Sequence, residues 1–410
     1  MAARRTSTPD KFDVCIVGGG PAGLIAGIAC AHFGFSTALL TGPATPLDGR
    51  TTALLAPSIT MLTQIGLWPA LQPHAAPLKS MRIIDDTGRL IRAPETVFRA
   101  GELDLEAFGY NVCNTDINAE LSSIADDLTD LTIFRETAKS VDFDNGAVLI
   151  GSDKRRRIIA DLVVGSDGRN SMVRTAAGIT TRSWAYDQVA VVCNLTHAGQ
   201  NNDTSTEFHT PSGPFTLVPL PQSPHHSSLV CVVRQDVAEQ MLAMDDDALC
   251  QEFERRAHSV LGAMKLETPP QAFPLGCQLA TEFSGPQVAL VGEAAHVFPP
   301  IGAQGLNLGI RDVAALVEAL VDARKAGQSI GGTTAMVTYN KARNVDVWSR
   351  TAAVDLLNRT LLSDLLPVQL ARGFGLYVAG RISGVRKLLM RESLAPVLSG
   401  PRLTRGLPLG

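Results

Sequence analysis

Three short runs of the 410-residue chain set glycines beside acids or bare backbone at spacings that can hold phosphate and sugar. The first is Gly18-x-Gly20-Pro21-Ala22-Gly23, entered from the apolar residues 14–17 and followed by an Ala/Ile-rich stretch up to Gly34. The first glycine permits a tight strand-to-helix turn, the second lets backbone approach a pyrophosphate, and the third lets helix pack on strand. The helix start then presents free N–H groups and a positive dipole end to the phosphates. A ligand-free glycine turn would use the same residues, but the position between a strand and a helix favours a dinucleotide. The second run is Gly165-Ser-Asp167-Gly168, after the apolar residues 162–164 and before a helix bearing Ser171 and Arg174. An acid at the carboxyl end of a parallel strand lies at the mouth of the ligand crevice, although a capping Asp in a tight turn fits equally well. The third is Gly292-Glu293-Ala-Ala-His296, again strand, glycine and acid. It continues through Pro300, Gly302, Ala303, Gln304, Gly305, Leu306 and Asn307 into an amphipathic helix over 306–326.

No side chain identifies itself as a catalytic base. His296, at a strand end, reads as a packed structural histidine, while His209 and the pair His225-His226 read as surface residues. The seven cysteines are scattered without a Cys-x-x-Cys, which points to buried small hydrophobes rather than disulfides. No four ligands group into a zinc site, and no metal is expected.

The elements that must position these runs can be read in order. Residues 13–40 make a βαβ unit whose second strand, 35–40, should end in an acid for the adenosine ribose. Thr41 stands there instead, and the next acid is Asp48. A hydroxyl can make one hydrogen bond but lacks a carboxylate's charge-assisted pair. Arg50 precedes an amphipathic helix over 51–66 and suits either a phosphate or flavin edge or a solvated loop. Residues 80–98 read as a hairpin turning at 86–88. Asn114 precedes a helix over 115–128 with Thr115 as its cap, and strands follow over 131–150. Residues 185–278 turn β-rich, with strands at 189–195, 215–220 and 228–233 and helical spacing over 238–260. A separate β-rich domain is therefore expected between parts of the nucleotide-binding domain. Helical patterning returns over 334–358. The last sixty residues carry eight Lys/Arg against three acids, with apolar residues interleaved at 374–377 and 388–390.

Length alone predicts more than one domain. A hydrophobic content of 45% and a charged content of 19% describe a globular chain, and a net charge of −4 argues against a general nucleic-acid binder. Residues 14–47 contain no Asp, Glu, Lys or Arg, yet seven glycines and three prolines divide them into strand, turn, helix and strand, so they are not a membrane span. Residues 1–10 lack the apolar core of a signal peptide, and a cytoplasmic location is expected.

Taken together, the three runs resemble those of the class A flavoprotein aromatic hydroxylases, the para-hydroxybenzoate hydroxylase type. The similarity is closest to the hydroxylases of ubiquinone biosynthesis. Further stretches support it: Leu62-x-x-Ile-Gly66-Leu-Trp68, Phe98-x-Ala-Gly-Glu-Leu-Asp104, Gly213-Pro-Phe-Thr-Leu-Val-Pro-Leu220, Leu306-Asn-Leu-Gly-Ile-Arg-Asp312 and Leu388-Leu-Met-Arg391, the whole spanning about residues 11–395. The resemblance implies an α/β fold: a Rossmann-like FAD-binding domain of the GR2 type, an inserted β-rich substrate domain and a C-terminal helical segment. On that basis the FAD domain takes 11–80, 99–180 and 279–340, the substrate domain 81–98 and 181–278, and the helical segment 341–410. FAD is the implied cofactor, with NAD(P)H as transient electron donor, since no second Gly-x-Gly-x-x-Gly is present. Gly18, Gly20, Pro21, Ala22 and Gly23 would hold the pyrophosphate, with Thr41 at the ribose place. Arg50 and Asn114 would meet the flavin side, and Asp167 with Gly168 would sit between pyrophosphate and nicotinamide approach. Gly292 and Glu293 would bind the ribityl chain or a phosphate-linked hydroxyl, and 300–307 would lie along the isoalloxazine ring.

Two further departures from the family pattern accompany Thr41: Glu293 stands where Asp is usual, and Ala303 where a glycine is usual. If position 303 needs a positive φ, its Cβ is strained. The implied reaction is reduction of the flavin, addition of O2 at its C4a and transfer of OH to an electron-rich carbon of a polyprenylated phenol. Catalysis then rests on the cofactor, with the protein positioning ring against ring. The basic C-terminal segment suits contact with an anionic membrane or a biosynthetic complex, or packing on the FAD domain. A reductase or oxidase on the same scaffold, such as a prenyl reductase, a hydroxylase of another small phenol, and a non-enzymatic assembly factor are the competing readings.

Overall fold

Residues 14–17 of the first strand, Asp10–Val17, are all buried, as expected of a strand flanked on both sides and covered on both faces. A computed structural model describes residues 9–43, 49–88, 92, 94–144, 146–299, 302–362, 383–394 and 400–409. Asp48, Pro300 and the apolar run 374–377 lie outside them. The first strand pairs in parallel with Thr37–Leu40 on one side and Arg157–Gly165 on the other. Leu131–Phe134 and Val288–Leu290 extend the parallel sheet at its two ends. A hairpin, Ala138–Asp144 and Ala147–Ser152, takes the first half of Arg157–Gly165 and leaves its carboxyl half to Val288–Leu290. The carboxyl ends of Asp10–Val17, Arg157–Gly165 and Val288–Leu290 therefore stand side by side. Each is followed by one of the three glycine runs.

Helix Pro21–His32 is apolar on all sides, with Gly23 to Ala31 buried, because it packs both on the sheet and against the long helix Gln304–Lys325. A second, nine-stranded sheet is mostly antiparallel, built around Thr181–His197, Gln271–Ala280, His226–Val233, Gly213–Pro219 and Thr204–Thr210. Ser80–Asp85 joins it in parallel with Thr204–Thr210, and Thr96–Arg99 closes that edge. One face of this sheet packs Val191, Cys193, Phe208, Phe215 and Leu229 against the helices Gln235–Leu242 and Asp246–Arg256. The other face carries Ala190, Val192, Val232 and Leu275, with Tyr186 packed against both this cluster and the core of the parallel sheet.

Several expectations are corrected. Thr51–Leu55 is a strand, paired with Gly109–Cys113, and the helix there is only Ala56–Gln64. The β-branched pair Thr51-Thr52 favours extension, and Pro57 sits comfortably only at a helix start. The following helix begins at Asn114 rather than Thr115, and Cys113 takes the capping position. The boundary placed at 340/341 falls inside one continuous helix, Thr333–Leu362, and that at 278/279 falls inside the strand Gln271–Ala280. His209 is buried, with Nε2 at 2.9 Å from Glu207 Oε1. His225 and His226 are half-buried and tie their turn together, His226 Nδ1 to Ser223 Oγ at 2.6 Å.

Candidate flavin site

The glycine turn is interlocked with its neighbour strand. Gly18 has φ +121°, and its N–H donates to Leu40 O at 2.9 Å. A Cβ at Gly18 would lie 2.3 Å from Ser166 O, and one at Gly23 would lie 1.9 Å from Gly18 O. The Ser166 hydroxyl closes the contact by donating to Val17 O at 2.9 Å. Gly20 differs: a Cβ there would meet nothing within 4 Å, so its backbone is bare and open to a ligand. Pro21 begins the helix, no side chain caps it, and its first turn holds no acid. Its first N–H groups are left for an outside acceptor.

The third run meets the first through glycine surfaces. Gly292 has φ +60°, and a Cβ on it would lie 2.9 Å from Ala22 Cβ; a Cβ on Gly309 of the long helix would lie 3.4 Å from Gly292 Cα. Glu293 projects outward from the turn Gly292–Ala294, its carboxylate exposed and bonded to no described residue. Of the acids singled out in the three runs, it is the one whose carboxylate no described residue occupies. Asp167 is already bonded within the chain. Its Oδ1 accepts from Ser171 Oγ at 2.5 Å, and its Oδ2 from the N–H groups of Met172 at 2.7 Å and Val173 at 3.2 Å. Asp167 thus caps the short helix Met172–Ala176, and Gly168, with φ +78°, makes the turn between them. Arg174 ties this run to the third by donating to Ala294 O at 2.8 Å, and burial lowers its pKa.

Thr41 abuts the glycine turn, where a Cβ on Gly19 would lie 2.6 Å from Thr41 Cβ. Its hydroxyl donates only to Gly42 O, at 3.3 Å. Arg50 is exposed, with its guanidinium 4.8 Å from the Phe273 ring centroid, and its carbonyl accepts from Asn114 N–H at 3.0 Å. Asn114 Oδ1 in turn accepts from Thr52 Oγ1 at 2.7 Å. Arg50 and Asn114 are thereby brought together across the small sheet.

Gly302 and Ala303 both have positive φ, +67° and +54°, so the residue in the place of the family glycine does hold a left-handed backbone. The helix begins two residues earlier than expected, at Gln304, with no side-chain cap and no acid in its first turn. Gly305 is exposed and Leu306 half-buried at this bare end. Asn307, expected along the flavin ring, points inward. Its Oδ1 accepts from Leu55 N–H at 2.9 Å and Ser58 Oγ at 2.7 Å, and its Nδ2 donates to Ala53 O and Ala303 O. Gln304 is also turned in, donating to Gly302 O at 2.9 Å.

Behind this helix start lies a buried charge network that residue types alone did not reveal. Asp312 accepts from His296 Nε2 at 2.7 Å, Gly292 N–H at 3.0 Å and Arg343 Nε at 2.6 Å. Arg343 continues to Asp346 at 2.6 Å. Asp346 also pairs with Arg311 at 2.8 Å and Arg350 at 3.1 Å, and Arg350 reaches Gln304 Oε1 at 3.2 Å. Burial alone would raise the Asp312 and Asp346 carboxyls, but the cations around them win and both are lowered. Burial pushes Arg311 down to about 10 despite Asp346. His296 is thus a structural histidine holding the Gly292 turn. The i, i+3 and i, i+4 spacing of Arg343, Asp346 and Arg350 was the one signal in the sequence that could have found the network.

Bare Gly20 backbone, two uncapped helix starts and the free Glu293 carboxylate form one cradle fitted to a pyrophosphate, a polyol chain and an electron-rich ring edge. Among the described residues no group of His, Cys, Asp and Glu is arranged to hold a metal ion. The model of a family described as FAD binding domain matches residues 11–351. The chain is 33% identical to the ubiquinone hydroxylase UbiL of Rhodospirillum rubrum, over 98% of this chain and 95% of that protein. It is 29% identical to the 3-demethoxyubiquinol 3-hydroxylase of Escherichia coli, over 94% of this chain and 99% of that one. Among solved structures, the p-nitrophenol 4-monooxygenase PnpA of Pseudomonas putida shares the fold, with a TM-score of 0.77 at 20% identity over 94% of this chain and 98% of that one. The chain belongs to the FAD-binding-domain family, and FAD is its cofactor.

Proposed function

We propose that this protein is an FAD-dependent monooxygenase that hydroxylates the ring of a lipophilic phenol in ubiquinone biosynthesis, using NAD(P)H and O2. The observation that carries the reading is its nearly end-to-end similarity to a protein named as a ubiquinone hydroxylase, over a chain whose cradle residues are in place. When bound, FAD supplies the redox chemistry with NAD(P)H and O2. The chain's own residues do the rest. The N–H groups at the starts of Pro21–His32 and Gln304–Lys325 bind anionic oxygens and favour negative charge at the ring edge beside them. Glu293 accepts from a ribityl hydroxyl, and Arg50, stacked on Phe273, closes the side facing the second sheet.

The second sheet, with Tyr186 bridging it to the FAD part, holds the substrate on its apolar face and excludes water. No described helix is long and apolar enough to cross a membrane. Helix Ser383–Leu394 is held to the body by Arg386 on Glu102 at 2.5 Å and by buried Met390, leaving Lys387, Leu388 and Arg391 exposed. That mixed basic and apolar face suits peripheral contact with an anionic bilayer, where such a substrate dissolves. The test is product formation from a lipophilic phenol under 18O2. Label in the product is expected, and equal product without oxygen would reject the reading.

A further inference from the structure

Asn194 and Ser228 are direct cross-strand partners in the second sheet. Asn194 is 7% exposed and Ser228 0%, and neither Asn194 Oδ1 nor Ser228 Oγ has a hydrogen-bond partner. Alternation fixes the face on which they stand. Val191, Cys193, Leu229 and Cys231 point to the helices, so Val192, Asn194, Ser228 and Val230 point to the opposite face. That face looks toward the FAD part. Thr268 Oγ1 accepts from Asn194 N–H at 2.9 Å and lies 3.1 Å from where a Cβ on Gly49 would stand, one residue before Arg50. Arg50 in turn stacks on Phe273, which pairs with Ala190 on the same face.

Leaving a buried polar atom unpaired is costly, and two such atoms at one cross-strand position need a reason. We infer that Asn194 and Ser228 form the polar end of the substrate pocket and bind a ring hydroxyl of the phenol. This rests on the hydroxylase reading and adds the residues that select the substrate. The chemistry matches atom for atom. An amide oxygen only accepts, and a serine hydroxyl donates as well; a phenol can donate to Asn194 Oδ1 while accepting from Ser228 Oγ. Val192 and Val230, paired in the next register step, with Ala190, Val232 and Leu275 beyond, offer an apolar wall to the ring and its substituents. Neither residue makes or breaks a bond; the pair positions and selects.

The test uses the flavin-loaded protein titrated with para-propylphenol and with its methyl ether, para-propylanisole, followed by the flavin absorbance. The ether keeps the shape but has no proton to donate to Asn194. Wild type should prefer the phenol by about tenfold or more. In Ser228→Ala and Asn194→Leu the phenol should weaken by about tenfold while the ether is unchanged, so that the preference collapses. Both ligand-free variants should melt no lower than wild type, because each removes an orphaned polar atom rather than a used one. A preference that persists in both variants would overturn the inference. So would a lowered melting temperature with the preference intact, which would assign the pair to structure or to a trapped water. If the protein purifies without flavin, the hydroxylase reading fails, and the same phenol-to-ether comparison by calorimetry still decides the pair.

Discussion

Two buried polar regions of this protein differ in how much of their hydrogen-bonding capacity is used, one linking seven side chains and the other leaving two facing oxygens unbonded. Behind the flavin cradle, His296, Asp312, Arg343, Asp346, Arg311, Arg350 and Gln304 form an unbroken chain of contacts at 2.6–3.2 Å. On the inner face of the second sheet, Asn194 Oδ1 and Ser228 Oγ stand among valines with nothing to bond. A network this densely connected locks geometry, here the Gly292 turn and the start of Gln304–Lys325, although His296 Nδ1, Arg343 Nη2 and Arg350 Nη2 stay without partners. The two open oxygens on the sheet cost stability, and the ring hydroxyl inferred above gives them an occupant. The difference separates the residues that shape a site from those that await its occupant.

Breaking the network should have the largest effect. Asp312→Ala strands His296 in the core and leaves Arg343 with Asp346 alone, and a loss of about 3–5 kcal/mol is expected in denaturant unfolding, with flavin lost at lower denaturant than in wild type. The same carboxylates set the acid limit. Because Asp312 and Asp346 hold folded-state pKa values below the ordinary range, the unfolded chain takes up their protons first as pH falls. Their contribution is therefore complete above about pH 4 and lost below it, so melting temperature plotted against pH should fall away on the acid side. Asp346→Asn should flatten that fall.

Next comes the cradle itself. Glu293→Ala removes a free carboxylate from the surface and should leave apoprotein stability within about 0.5 kcal/mol while weakening FAD about tenfold or more. Full flavin content after gel filtration at low concentration would return Glu293 to a solvated surface residue. Ala303→Gly relieves a left-handed alanine and should stabilise the protein by about 1 kcal/mol, read as a raised melting temperature. Thr41→Asp supplies the missing ribose acceptor and is expected to give the smallest change, a few-fold tighter FAD by titration into apoprotein, about 0.5–1 kcal/mol.

Much of the cradle was legible because its chemistry is local. A glycine turn needs only its own few residues and the strand and helix beside them, so Gly18, Gly20, Gly23 and Gly292 could be read directly. Ala303 could be flagged from one unexpected Cβ, and its φ of +54° shows why glycine suits that position. Asp167 and Asn307 were legible as positions but not as directions. The first caps its own helix, and the second bonds Leu55 and Ser58, some 250 residues away in sequence. The same limit applied to 51–55, read as helix until its pairing with 109–113 decided for strand, and to His209, whose polar surroundings in sequence concealed a buried place.

Through a resemblance to a known family the sequence pointed to FAD; by itself it determined the parallel αβ unit and the three strand ends that carry glycine. Those follow from local sterics and from periodicity, which a chain carries in its own order. The tertiary structure alone decided which polar side chains are used up and which remain open. It spent Asp167, Asn307 and His296 on the frame, joined Asp312 to Arg343, and set Asn194 opposite Ser228. Hydrogen-bond satisfaction depends on partners brought from distant parts of the chain, and no spacing along one strand records which will arrive.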